Sequence, residues 1–121
     1  MGRSAAATLT DVHADYTPNQ VADLLAGDEI QLIDVREPDE YETGRIAGAR
    51  LIPLSQLPAE AGDLDPERPV VFYCRSGSRS AMATGAFRNA GFDAYNMAGG
   101  LLDWDAAGLP LDPADGHVAG A

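Results

Sequence analysis

The sequence predicts a single α/β domain with a central parallel sheet of about five strands and helices on both faces. Three observations lead there. Strand-like apolar runs and capped helical patterns alternate from Tyr16 to about Leu111, with no internal repeat. The 121 residues suffice for one domain that buries a core without disulfides or a metal. The one cysteine, Cys74, falls where an apolar run ends and a helical pattern begins, and sheets of this kind place active sites at the carboxyl ends of their strands.

Residues 1–15 are Ala/Thr-rich and weakly patterned, and read as a loose arm with a short strand ending near Tyr16. Thr17-Pro18 is an N-cap followed by proline at the first helical position; Val21, Leu24 and Leu25 form the apolar stripe and Gly27 ends the helix. Gln31 to Val35 is a short apolar run with Asp34 near its end, which fits a buried strand. A helix over Pro38 to Thr43 is stopped by Gly44. Ala49 to Pro53 reads as a strand with proline at its edge, and Ser55 as the cap of a short helix leading into an acidic loop from Gly62 to Pro69. Val70 to Tyr73 is the strand that feeds the cysteine. A helix over Arg79 to Asn89 closes at Gly91, a strand follows over Ala94 to Met97, and a last helix over Leu101 to Ala107 ends at Gly108-Leu109-Pro110. Asp112 to Ala121 is Gly/Ala/Asp-rich and reads as a flexible tail that frays, leaving the domain proper over residues 16–111.

A single cysteine excludes an internal disulfide. Together with the lack of an apolar stretch behind a basic N-terminus, this points to a reducing cytoplasm, and no window approaches a membrane span. Nineteen acidic residues against eight arginines, with no lysine, give a net charge of -11. Nucleic acid and anionic membranes are therefore poor partners. An anionic small substrate must find a local arginine field against that background. Arg36, Arg45, Arg50, Arg75 and Arg79, five of the eight arginines, lie in the two segments that carry the candidate site. His13 and His117 have no spacing that suggests a metal site, and no metal is expected.

The candidate site is Cys74 with the loop Arg75, Ser76, Gly77, Ser78, Arg79 and Ser80. In a strand-loop-helix unit, successive loop N–H groups and the positive end of the helix dipole converge on one point. A sulfur at that point is held as an anion. Free Cys titrates near 8.5, so about 3% is thiolate at pH 7, and a downward shift of roughly two units makes the anion the major form. The plainer reading of a lone Cys is a small buried hydrophobe. That reading wants apolar company on both sides, whereas the residues after Cys74 are donor-rich and nearly free of apolar bulk. Gly77 supplies the permissive backbone of a ring-like loop. Arg79 can point its guanidinium at a substrate or tie the loop to an acidic neighbour such as Asp34, and Ser78 and Ser80 can donate to sulfur or support the loop. Tyr41, Tyr73 and Trp104 read as core aromatics.

Three segments, in order, carry a resemblance over roughly Tyr16 to Leu111. The first is Leu32-Ile33-Asp34-Val35-Arg36-Glu37 with Tyr41, then Gly44 to Ala49 and Ile52-Pro53; the second is Cys74 to Ser80; the third is Ala98-Gly99-Gly100-Leu101 with Trp104, Gly108 and Pro110. The chain resembles the rhodanese-like single-domain sulfurtransferases. That resemblance implies that Cys74 attacks the outer sulfur of a donor, thiosulfate or a persulfide, and holds it as a persulfide. It then passes the sulfur to cyanide or a thiol, with no cofactor beyond this covalent intermediate. Implied partners are the small donor and acceptor and a redox or sulfur-accepting protein. The resemblance also brings Asp34 and Arg36 beside the cysteine loop, either as an ion pair that fixes the loop or in contact with substrate.

Two departures stand out. Arg45 occupies a place where the family often has histidine, and Glu40 precedes Tyr41 where classical two-domain rhodaneses carry an arginine that helps hold thiosulfate. A carboxylate at Glu40 repels that dianion. Two rival readings remain. Phosphatases of the cell-cycle dual-specificity type, and arsenate reductases, resemble a Cys-x5-Arg loop wide enough for a tetrahedral oxyanion; Cys74 to Arg79 is Cys-x4-Arg and suits one sulfur atom. Rhodanese-like domains also serve as non-catalytic interaction or sensing modules, but those tend to lose the cysteine that this chain keeps.

Overall fold

The computed structural model describes residues 15–119. The arm expected before Asp15, with His13, lies outside the described residues. Among these, β1 (Gln31–Asp34), β2 (Arg50–Leu51), β3 (Val70–Tyr73) and β4 (Ala94–Asn96) form one parallel sheet in the order β2-β1-β3-β4. The strand expected near Tyr16 is reduced to a single parallel bridge with Met97 beyond the end of β4. The sheet thus has four strands and a one-residue fifth rung.

Alternation along the central strands splits the core. Val70, Phe72 and Ile33 pack with Leu57, Ala83 and Phe87 on one face; Val71, Tyr73 and Leu32 pack with Val21, Leu101 and Trp104 on the other. Each such side chain contributes roughly 1.5–3 kcal/mol on burial, and β3, buried at every position, is the most firmly anchored element. The first face is covered by α3 (Leu57–Glu60) and α4 (Ser78–Asn89), the second by α1 (Pro18–Ala26) and α5 (Gly100–Ala106).

Local signals set the helix ends. Thr17 and Gln20 form a capping box at α1, with the Gln20 N–H donating to Thr17 Oγ1 at 3.2 Å and the Thr17 N–H to Gln20 Oε1 at 2.9 Å. In α2 (Pro38–Thr43) the cap position is Glu37, whose N–H donates to Glu40 Oε1 at 2.9 Å. Ser55 does not cap a helix: it lies inside a 3-10 turn, Leu54–Gln56, which Pro53 starts by accepting the Gln56 N–H at 2.8 Å. The following helix α3 opens at Leu57-Pro58 without a side-chain cap.

The tail also departs from expectation. From Asp112 the described chain packs back on the domain: Asp112 and Arg45 exchange backbone bonds of 2.7 and 3.0 Å, the His117 N–H donates to Thr43 O at 2.9 Å, and Val118 is buried among the core residues of the α1/α5 face. Composition misleads here because one apolar side chain and a few main-chain bonds hold a segment otherwise lacking bulk.

Candidate active site

Cys74 follows the last residue of β3 directly, so the most buried strand fixes its Cα. The side chain is itself buried, and its Sγ is met by the Gly77 N–H at 3.1 Å, the Ser80 N–H at 3.5 Å and the Ser80 hydroxyl at 3.4 Å. Gly77 reaches this geometry through a left-handed φ of +105°, which a side chain would strain. Ser80 lies in the first turn of the 12-residue α4, so the positive helix end adds to the same field. Burial pushes the thiol up and is the largest single influence. The Ser80 hydroxyl and the N–H groups of Ser80, Gly77 and Ser76 together outweigh it, and the net is a thiol below its ordinary value.

Asp34 and Arg36, both fully buried, form an ion pair on the neighbouring strand end. Arg36 donates from Nε at 2.9 Å and from Nη2 at 2.7 Å to the Asp34 carboxylate, and Nη2 also reaches Gly44 O at 2.9 Å. Burial works against the guanidinium charge, but the Asp34 hydrogen bonds and charge prevail and hold Arg36 above its usual value. Val35 N–H donates to Tyr73 O at 3.0 Å, which couples this corner to the residue before Cys74. The pair therefore ties β1 to the end of α2.

Arg79 finds a different acid from the one the sequence suggested. Its Nη1 and Nη2 donate to the two oxygens of Glu40 at 2.8 and 3.0 Å, a bidentate clamp across 39 residues of chain. The Arg79 hydrogen bond holds the Glu40 carboxyl at about 2. Glu40 raises Arg79 in return, and the Cys74 sulfur adds to that rise. Glu40 is thus no bare carboxylate, and Arg79 no free cation.

The rest of the expected arginine field is also engaged. Arg75 donates from Nε to Ala119 O at 3.1 Å, Arg45 stacks on the Tyr41 ring at 4.7 Å, and Arg50 turns to Glu60 and Asp63. Ser76 and Ser78 are exposed on the loop, while Ser80 is buried against the sulfur. Tyr73 and Trp104 are core aromatics as read; Tyr41 is only half-buried. Among the described residues, no group of three or more His, Cys, Asp or Glu is placed to hold a metal ion.

A family model, the Rhodanese-like domain, matches residues 17–107. The chain belongs to this family. A crystal structure of a rhodanese-related protein from Thermoplasma volcanium superposes with a TM-score of 0.76 at 26% identity, over 82% of this chain and 97% of that one. The rhodanese-like chain is 29% identical over 109 residues to a protein named sulfurtransferase from Allochromatium vinosum, covering 89% of this chain and 99% of that protein. It is 47% identical over 75 residues to the uncharacterised protein YqhL of Bacillus subtilis, over 61% of this chain and 60% of that one. Two further curated relatives are matched over only 24% and 38% of their length. No helix among the described residues is long and apolar enough to cross a membrane.

The sequence did not single out Asn96, Ala119 or the pairing of Glu40 with Arg79. Glu40 stands three residues after the cap residue Glu37, a helix-start position that speaks only for local structure. Gly99-Gly100 belongs to the third motif, whose residue types alone assign it no role.

Proposed function

We propose that this rhodanese-like chain is a sulfurtransferase in which Cys74 carries the transferred sulfur. The observation that carries the reading is the set of donors aimed at one buried sulfur. In the first step the Cys74 thiolate attacks the outer sulfur of the donor. The new bond is Sγ–S, the donor's own S–S bond breaks, and its electron pair leaves with sulfite from thiosulfate or with a thiolate from a persulfide. In the second step cyanide or a thiolate attacks the outer sulfur of the Cys74 persulfide and regenerates the Cys74 thiolate. Arg75, Ser76, Gly77, Ser78, Arg79 and Ser80 form the persulfide-binding loop, and Asp34 and Arg36 brace it.

The Glu40 clamp on Arg79 favours a persulfide over thiosulfate as donor, because a dianion meets a guanidinium whose charge is already matched. The family members named sulfurtransferase support the reaction class. A buried sulfur in a Cys-x4-Arg loop also suits a slim terminal sulfur better than a tetrahedral phosphate. The test is the intact mass of the chain after exposure to thiosulfate or to a persulfide. One added sulfur atom, lost in Cys74→Ser and discharged by cyanide as thiocyanate, is expected; an unmodified mass with every donor sinks the proposal.

A further inference from the structure

The carbonyls of the cysteine loop are held from outside by the segment that runs from β4 into α5. Cys74 O accepts the Leu101 N–H at 2.8 Å, and Arg75 O accepts the Leu102 N–H at 3.0 Å. The contact is possible because residue 100 is glycine. With φ at +63°, a Cβ there would stand 2.5 Å from Arg75 O and 2.6 Å from Cys74 O, both main-chain atoms that have nowhere to go. On the other side of the loop, the side chain of Asn96, buried at the end of β4, donates from Nδ2 to Gly77 O at 3.3 Å.

Each of these carbonyls belongs to a planar trans peptide unit whose N–H points the opposite way. Fixing Arg75 O on Leu102 turns the Ser76 N–H away from α5, and this is one of the N–H groups that favour the Cys74 thiolate. Fixing Cys74 O on Leu101 turns the Arg75 N–H likewise. Gly77 O, which also accepts the Ala81 N–H of α4 at 3.1 Å, is held by Asn96 from the side of β4, so Gly77 is pinned on its carbonyl side while its own N–H, in the preceding peptide, meets Sγ at 3.1 Å. Left to itself, a loop of Ser and Gly has many peptide orientations available.

We propose that Gly100 and Asn96 are positioning residues for sulfur transfer: they hold the outward carbonyls of the cysteine loop, and thereby aim its N–H groups at the sulfur of Cys74. This assigns a task to the third sequence motif, Ala98-Gly99-Gly100-Leu101, and adds a residue outside all three motifs. It rests on Cys74 being the reacting thiol. Gly100→Ala pushes Arg75 O and Cys74 O off the α5 N–H groups, and Asn96→Leu keeps the volume while removing the donor.

The experiment measures the rate of Cys74 alkylation by iodoacetamide against pH, by intact mass, on the full chain, with thermal unfolding recorded beside it. No sulfur donor is used, so failure of the sulfurtransferase reading, an unmodified parent mass with donors, is distinguishable from failure of this one. In both variants the alkylation midpoint is expected to move upward by about one pH unit, with the rate at neutral pH down ~tenfold and parental rates regained at high pH. A merely destabilised variant lowers the unfolding temperature without moving the midpoint. A folded Asn96→Leu with the parental profile overturns the proposal whatever Gly100→Ala does. Failure of both variants to fold overturns it as well, since the residues would then be structural.

Discussion

Replacing Glu40 by glutamine removes the acid that clamps Arg79 and leaves the shape of the site almost unchanged. In the parent, Arg79 gives both terminal nitrogens to Glu40 at 2.8 and 3.0 Å, with side-chain exposures of 34% and 17%. A dianionic donor must compete with that carboxylate for the guanidinium. Two unit charges at about 4 Å interact by ~1 kcal/mol in water and ~4 kcal/mol at an effective dielectric of ~20. With Arg79 partly open to solvent, a gain of about 1–2 kcal/mol is expected, or roughly 5–30-fold in kcat/KM for thiosulfate. The gain appears in KM, since Arg79 is freed for the donor before any bond changes. The assay is thiocyanate formation against thiosulfate concentration, at low and at physiological salt, beside an uncharged sulfane-sulfur donor. The uncharged donor responds little, and added salt narrows the gap for thiosulfate. An unchanged KM for thiosulfate at low salt would refute the claim that the clamp selects against dianions. Arginine at this position is a poorer test, because it faces Arg79 and sets two guanidinium groups against each other.

The same carboxyl gives a pH prediction: its folded value of about 2 lies below the ordinary 4.5, so the ion pair stabilises fully above about pH 4.5 and is lost as pH falls toward 2. Over that window the parent should lose more stability than Glu40→Gln in denaturant titrations, and parallel losses would contradict the pairing. Ser80→Ala removes the hydroxyl bond to Sγ, and with about 0.5–1.5 kcal/mol at stake the alkylation midpoint of Cys74 should rise by up to about one unit; an unmoved midpoint would mean the main-chain donors suffice. Asp34→Asn strips the counter-charge from the buried Arg36, which should cost about 3–5 kcal/mol in equilibrium unfolding, while a loss under 1 kcal/mol would show that the guanidinium finds water. Hydrolysis of an aryl phosphate should stay near background in the parent, and insertion of one residue between Cys74 and Arg79 should weaken sulfur transfer; efficient phosphate hydrolysis by the native loop would overturn the size argument.

Local physics made most of the frame readable. Val70 to Tyr73 was legible as a strand because a run of apolar residues ending at a Gly/Ser/Arg loop has few other uses, and Thr17-Pro18 and Gly27 bracket α1 through chemistry contained within the segment. The sulfur's donors were legible for the same reason, since Gly77 and Ser80 sit within six residues of Cys74. Ser55 looked like a cap because its residue type permits one, but Pro53 had already turned the backbone. What no local pattern contains is pairing at a distance. For Arg79 the sequence offered Asp34; that acid is taken by Arg36, two residues away, and Glu40, 39 residues distant, closes the clamp instead. The contact of Gly100 with the cysteine loop and the docking of Val118 depend likewise on how β3, β4 and the chain's end are brought together.

The sulfur of Cys74 hangs from the end of an inner strand of the sheet. With β1 on one side, β4 on the other and side chains buried on both faces, the amide hydrogens of β3 exchange with solvent only when the whole domain opens, whereas the short β2 and the docked tail can part from the body at lower cost. Cys74 directly follows this strand and is itself buried, with the loop over residues 75–80 beside its sulfur. Thiol labelling and amide exchange therefore time two different openings of the protein, one of a few residues and one of the entire fold.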